Sequence, residues 1–273
     1  GTDAALAFAF GHVILREFHL DNPSQYFTDY CRQYSDMPML VRLDPRDDGS
    51  FVTGRYLRAS DLDGALGEAN NPEWKTLAFD ENSGGLVVPH GSVGFRWGEK
   101  GRWNIEERDS QGRDTRLLLS LKDGHDGFVD VCFPYFGGVA HESWTSSPRE
   151  DILKRHIPTR KIKQADGSEV LVASVYDLLL AQYGLDRGFG GGHVASSFDQ
   201  DIPGTPAWQE KITGVPRAEV IEIAREFART ADKTRGRSMI IVGAAMNHWY
   251  HNDMNYRGLI NMLVMCGCIG QTG

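Results

Sequence analysis

Apolar positions along this chain fall partly at helical spacing and partly in short β-prone runs. Leu6, Phe10, Val13, Ile14 and Phe18 fall three to four apart, as one face of a helix requires. Thr2 or Asp3 offers an acceptor to the free N–H groups of its first turn. Asp21-Asn22-Pro23 ends the run, and Pro23, tolerated at a first helical position, introduces a second short helix through about Tyr34. Met39 to Leu43 follows as a strand. Further on, Val170 to Leu180 reads as an amphipathic helix, and Thr213-Gly-Val-Pro216 opens another with Val220, Ile223, Ala224 and Phe227 on one face. Met239 to Val242 then reads as a strand ending at Gly243, a polar loop holds Asn247, His248 and His251, and a helical run from about Met254 to Met265 closes an α-β-α succession.

Between Asp44 and Lys163 the character changes to short β-prone runs at 51–57, 76–79, 94–97, 117–121 and 127–133, separated by Gly, Asp, Asn and Pro. No fixed period links them, so this stretch is no repeat array. The fold expected is α/β: parallel-sheet, Rossmann-like layers with flanking helices and a strand-rich irregular insertion over 44–165, between segments 1–43 and 166–273.

Composition narrows the partners more than the fold. The 273 residues carry a net charge of -8, and the basic residues are interleaved with acids, so a nucleic-acid partner is not expected. The apolar runs at 239–246 and 262–269 are broken by glycine and fall short of the roughly 20 residues a membrane-spanning helix needs. Cys31, Cys132, Cys266 and Cys268 make no zinc or iron–sulfur spacing and read as reduced, mostly buried thiols of a cytoplasmic setting. The opening Gly1-Thr2-Asp3 and the closing Gly-Gln-Thr-Gly read as interior sequence, as in a segment of a longer polypeptide.

Candidate chemistry gathers at the loop after Gly243, because ligands bind beyond the carboxyl ends of strands in open α/β sheets. An imidazole at His248 or His251 can donate to an oxyanion or pass a proton; equally, one can be a satisfied core residue and the other a loop residue. His248-x-x-His251 could share a zinc ion, but only Asp253 lies near as a further ligand, so no metal site is assigned. Asp3 either caps its helix or meets a ligand at the helix start. Arg257 and Asn261, four apart, can reach a phosphate or form a solvated stripe. Gly188 to Gly192 lacks the strand before it and the Lys-Ser/Thr after it that a phosphate cradle needs, and reads as a flexible loop.

Gly1-Thr-Asp-Ala-Ala-Leu6, Thr213-Gly-Val-Pro216 leading into 221–228, and Gly243-x-x-x-Asn247-His248 running to Arg257, Asn261, Gly267 and Gly270 recur in this order in the molybdopterin oxidoreductases, which the chain resembles. Within that superfamily, Leu-Arg-Glu-Phe-His-Leu-Asp-Asn-Pro-Ser-Gln-Tyr-Phe (15–27), Gly-Phe-Arg-Trp-Gly-Glu-Lys-Gly (94–101), Phe-Pro-Tyr-Phe-Gly-Gly (133–138) and Asn-His-Trp-Tyr-His (247–251) are similar to the catalytic alpha subunits of membrane-bound respiratory nitrate reductases.

That resemblance implies a molybdenum centre held by two molybdopterin guanine dinucleotides, reducing nitrate to nitrite by two-electron oxygen-atom transfer. It implies an iron–sulfur beta subunit, a membrane haem gamma subunit and a place on the cytoplasmic face of the cell membrane. On it, 1–43 ends one cofactor-binding α/β domain and 166–273 forms a second cofactor-binding segment. Gly1, Thr2, Asp3, Gly243, Asn247, Arg257 and Gly267 become cofactor-binding residues, with Asp3 accepting from guanine N1 and N2, and His248 and His251 become catalytic residues.

The family's iron–sulfur motif and its molybdenum-ligating aspartate do not occur in these residues, so the segment alone is expected to hold no molybdenum and to have no turnover. A helix dipole contributes only about 0.3 to 1 kcal/mol per charge, too little for Asp3 and one loop to retain a dinucleotide. A selenate, chlorate or perchlorate reductase would share the cofactor-facing residues. A non-catalytic interaction module would instead use Trp97, Trp103 and Trp144.

Overall fold

The computed structural model describes residues 2–64, 66, 72–89, 107–109, 111–135, 151–249 and 252–271. The phrase at 94–101, residues 136–138 of the phrase at 133–138, Tyr250, His251, Gly1, and Trp97, Trp103 and Trp144 lie outside the described residues.

The chain opens with helix α1 (Asp3–Leu15), continues through a π-helical turn (Arg16–Asp21), and enters α2 (Gln25–Tyr34), where Ser24 accepts from the Phe27 N–H. α1 is apolar on all sides, and Ala5, Ala7, Ala9, Val13, Ile14 and Leu15 are buried. A helix of that kind belongs in an interior. Around it pack α4 (Pro206–Thr213), α5 (Arg217–Thr234) and α6 (Asn252–Met265). Glu17 grips Arg225 of α5 with both carboxylate oxygens, at 2.6 to 3.1 Å.

The strands form a different unit. β1 (Leu40–Pro45), β2 (Phe51–Tyr56), β5 (Gly127–Tyr135), β6 (Asp151–Lys163) and β7 (Glu169–Ser174) close into a barrel, while β3 (Ala78–Phe79) and β4 (Leu86–Val87) pair separately. Pairing is antiparallel throughout except where β2 meets β5 at Phe51 and Val131. Val41, Leu43, Val131, Phe133, Leu153 and Ile157 form one apolar cluster with Leu178 and Ala181 of α3 (Val175–Gln182), joining the barrel to the helical layer.

This corrects several expectations. The α/β class stands, but the sheet of the described residues is a barrel and not a set of parallel layers. Met239 to Val242 pairs with no strand: Met239 is 66% and Ile241 86% exposed. A run apolar on both faces makes a strand only between neighbouring strands, and none lies beside it among the described residues. The helix expected from Val170 begins five residues later, because Val170 and Val172 pair into the barrel and Ser174 caps α3 by accepting from the Asp177 N–H. On α5 the buried face is Val220, Ala224, Ala228 and Ala231, with Ile223 exposed. The run at 117–121 is no strand; the carboxylate of buried Asp177 takes the Leu121 N–H and the Ser120 hydroxyl and pairs with Arg187 at 2.7 Å.

The glycine-rich loop at 188–192 carries no helix or strand, yet it is tethered on three sides. Arg155 of β6, 1% exposed, donates to the carbonyls of His193 (2.9 Å), Ala181 (2.7 Å), Gln182 (2.7 Å) and Pro203 (3.1 Å). Arg16 donates to those of Asp186 and Ala195, and His156 Nδ1 reaches that of Phe189 at 3.1 Å. All four cysteines are buried and unpaired. No helix among the described residues is long and apolar enough to cross a membrane.

Candidate functional site

Two contacts fix how α1 and α6 lie together. A Cβ built on Gly258 would sit 2.8 Å from the Cβ of Ala7, and further along both helices His19 Nε2 lies 3.0 Å from the Met265 carbonyl. The helices therefore run in the same direction with their N-termini at one end. Each N-terminus leaves backbone N–H groups without helical partners and carries a partial positive charge, a combination that favours anions and acceptor oxygens.

At that end stand most of the residues expected from the sequence. Thr2 occupies the cap position of α1 without a capping side-chain bond and is exposed; Asp3 opens the first turn and is half-buried. Gly243 is exposed with open space around it and precedes a 3₁₀ turn, Ala244–His248, that leads towards α6. Asn247 is fastened to α6: its carbonyl accepts from Asn252 Nδ2 at 2.9 Å, and its side-chain oxygen accepts from the Tyr256 hydroxyl. His248 and Arg257 are exposed.

Gly267 is not brought to this end. It follows the last turn of α6, roughly 20 Å from that helix's start at 1.5 Å per residue. There it is buried with φ of 64°, a left-handed conformation glycine adopts without strain, and its carbonyl accepts from the Tyr26 hydroxyl at 2.6 Å.

One residue escaped the sequence reading. Asn255 is 2% exposed, and its carboxamide nitrogen has no hydrogen-bond partner among the described residues. Leaving such a donor buried and unmatched costs about 1–3 kcal/mol. Asn255 shares the buried stripe of α6 with Gly258, Met262 and Met265. The available signal was a polar residue at helical spacing from three positions that face a core.

Two buried histidines along the α1 layer are neutral groups, His12 midway and His19 beside the far end of α6. His12 Nδ1 donates to the Tyr183 carbonyl at 2.7 Å, and His19 sits between the Met265 carbonyl and the Tyr176 hydroxyl. Burial lowers the pKa of each to about 4. Among the described residues no group of three or more His, Cys, Asp or Glu is placed to hold a metal ion.

A family model describing molybdopterin oxidoreductases matches residues 1–273, the whole chain. The chain belongs to the molybdopterin oxidoreductase family. It is 61% identical over 274 residues to the respiratory nitrate reductase 1 alpha chain of Escherichia coli (strain K12), covering 100% of this chain and 22% of that protein. It is 39% identical to the nitrate reductase alpha chain of Bacillus subtilis (strain 168), covering 100% of this chain and 21% of that one. Against the perchlorate reductase subunit alpha of Dechloromonas aromatica (strain RCB), identity falls to 26%, again over 100% of this chain and 22% of the relative. The chain thus spans about a fifth of the length of these relatives.

This molybdopterin oxidoreductase segment has residues that fit the family's cofactor. Two helix starts, the half-buried Asp3 carboxylate and the unmatched Asn255 amide supply donors and an acceptor of the kind a pterin cofactor takes.

Proposed function

We propose that this chain is part of the catalytic alpha subunit of a respiratory nitrate reductase, and that the shared end of α1 and α6 helps hold a molybdenum bis(molybdopterin guanine dinucleotide). The observation that carries the cofactor site is the parallel crossing of α1 and α6 at Ala7 and Gly258, which sets two helix starts side by side. Nitrate as substrate is supported by identities of 61% and 59% with two respiratory nitrate reductase alpha chains.

The molybdenum group, when bound, supplies the two-electron oxygen-atom transfer. The protein's own part is to seat it and to handle protons. Gly1 and Thr2 let the nucleotide approach the start of α1, where the Asp3 carboxylate accepts from guanine N1 and N2. Gly243 and Asn247 line the approach to α6, Arg257 faces a phosphate, and Gly267 supports the far end of α6 against α2. His248 donates a hydrogen bond to the substrate oxyanion and, with His251, delivers protons as the departing oxygen becomes water.

The apolar run Met239 to Val242 is, on this reading, a strand of the parallel sheet that the rest of the subunit completes, because Met239 and Ile241 are left exposed while Ile240 packs on the core. The segments 1–43 and 166–273 then serve as cofactor-binding parts around the barrel region. An iron–sulfur beta subunit and a membrane haem gamma subunit supply electrons at the cytoplasmic face of the membrane, and the segment by itself holds no molybdenum.

The test is a dye-linked assay of the full-length subunit with nitrate, chlorate, perchlorate and selenate, together with His248→Ala. We expect the highest kcat/KM for nitrate and a fall of about a hundredfold or more in His248→Ala at unchanged molybdenum content. A preference for perchlorate, or wild-type turnover in the variant, would contradict the reading.

A further inference from the structure

The stripe that α6 turns towards α1 contains Asn255, Gly258, Met262 and Met265. Three of these four need no polar partner, and the fourth is a carboxamide with a buried, unmatched nitrogen. Gly258 marks where the two helices touch, against Ala7. One turn towards the N-terminus of α6 faces one turn towards the N-terminus of α1, so Asn255 stands opposite the turn that Asp3 begins. Side chains on a helix lean towards its N-terminus. The Cα–Cβ bond of Asn255 therefore tilts towards the start of α6 and away from the Gly258 contact. Tyr256, the next residue, holds the turn in place through Asn247, so the first turn of α6 is fixed around this side chain.

Native proteins rarely leave such a donor unmatched, because the lost solvation is not returned by packing. Its presence between two N–H-rich helix starts marks the position of a missing acceptor. We propose that Asn255 is a cofactor-contacting residue: its carboxamide nitrogen donates to an acceptor oxygen of the pterin dinucleotide, of the phosphate class that helix starts bind. The inference rests on the cofactor reading above and adds a residue to it. Asn255 works from below the cofactor, between the helices, whereas Asp3 meets the base and His248 the substrate side.

The measurement is retention of cofactor by the full-length subunit, followed as molybdenum and guanine nucleotide lost on prolonged dialysis, for wild type, Asn255→Leu and Asn255→Ser. The melting temperature of each apoprotein is recorded alongside. Loss of one such hydrogen bond should speed release about tenfold in both variants. Asn255→Leu should also leave the apoprotein as stable as wild type or more so, since it removes an unmatched polar group. Wild-type retention in both variants would overturn the role of Asn255 while leaving the cofactor reading intact. A wild-type subunit that holds neither molybdenum nor guanine nucleotide would overturn that reading and this inference together. Failure of both apoproteins to fold would assign Asn255 to the helix contact alone and would also overturn the proposal.

Discussion

Gly258 of α6 lies over Ala7 of α1 so closely that an added Cβ would fall 2.8 Å from the alanine's own. Helix backbones meet at this point, and the meeting sets the relative height of the two helix starts. Gly258→Ala should gain about 0.5–1 kcal/mol in helix propensity but lose about 1–3 kcal/mol by forcing the crossing apart. We expect net destabilisation and faster loss of cofactor. The apoprotein's melting curve checks it, and a raised midpoint would show that the crossing yields without cost.

Arg155 makes its fit with carbonyls alone. Two of its four acceptors, Ala181 and Gln182, lie in the last turn of α3, where the helix dipole is negative and offsets the buried charge. Burial lowers the pKa of the guanidinium to about 10, so it remains charged at neutral pH. Arg155→Met should leave four carbonyls short of a donor and cost about 3 kcal/mol or more, at roughly 1 kcal/mol for each. Denaturant unfolding measures the loss, and limited proteolysis should show new cleavage between residues 185 and 203. Wild-type behaviour in both would mean that the loop is held by other contacts.

His12 and His19 make stability depend on pH in a known direction. Their folded pKa values of about 4 lie below the ordinary value of 6.5 because burial disfavours the imidazolium. Between those values the unfolded chain binds protons that the folded chain refuses. Stability is therefore complete above pH 6.5 and declines as pH falls towards 4, by on the order of 3 kcal/mol for each histidine across the window. Unfolding followed from pH 7 to pH 4 should show uptake of roughly two protons, and His19→Gln should remove about half of it. A flat profile would contradict the neutral, buried assignment.

Much of the helical layer was legible because its signals are local. Asp21-Asn22-Pro23 stops the first helical run and Thr213-Gly-Val-Pro216 introduces α5; the second helix, expected to open at Pro23, has Ser24 as its cap and Gln25 as its first residue. Strands β1, β2 and β5 were visible as short β-prone runs. The boundary at Ser174 was not, since apolar spacing alone does not separate five strand residues from the helix they run into. Nor does a sequence show whether an apolar run such as Met239 to Val242 has neighbours to pair with. At the candidate site, the residue types at 2–3 and 243–248 drew attention, but the parallel alignment of α1 and α6 arises from residues more than 240 apart. Asn255 and Arg155 were overlooked for one reason: each is marked by its burial and by the partners it has or lacks, which are properties of the packed chain.

The most direct test is hydrogen exchange on the full-length subunit prepared with and without its molybdenum cofactor. Bound cofactor should slow exchange in the first turn of α1, in the 3₁₀ turn Ala244–His248 and in the first turn of α6, leaving strands β5 and β6 unchanged. Equal exchange at those three places in both forms, or protection confined to the barrel, would contradict a cofactor site at the shared end of α1 and α6.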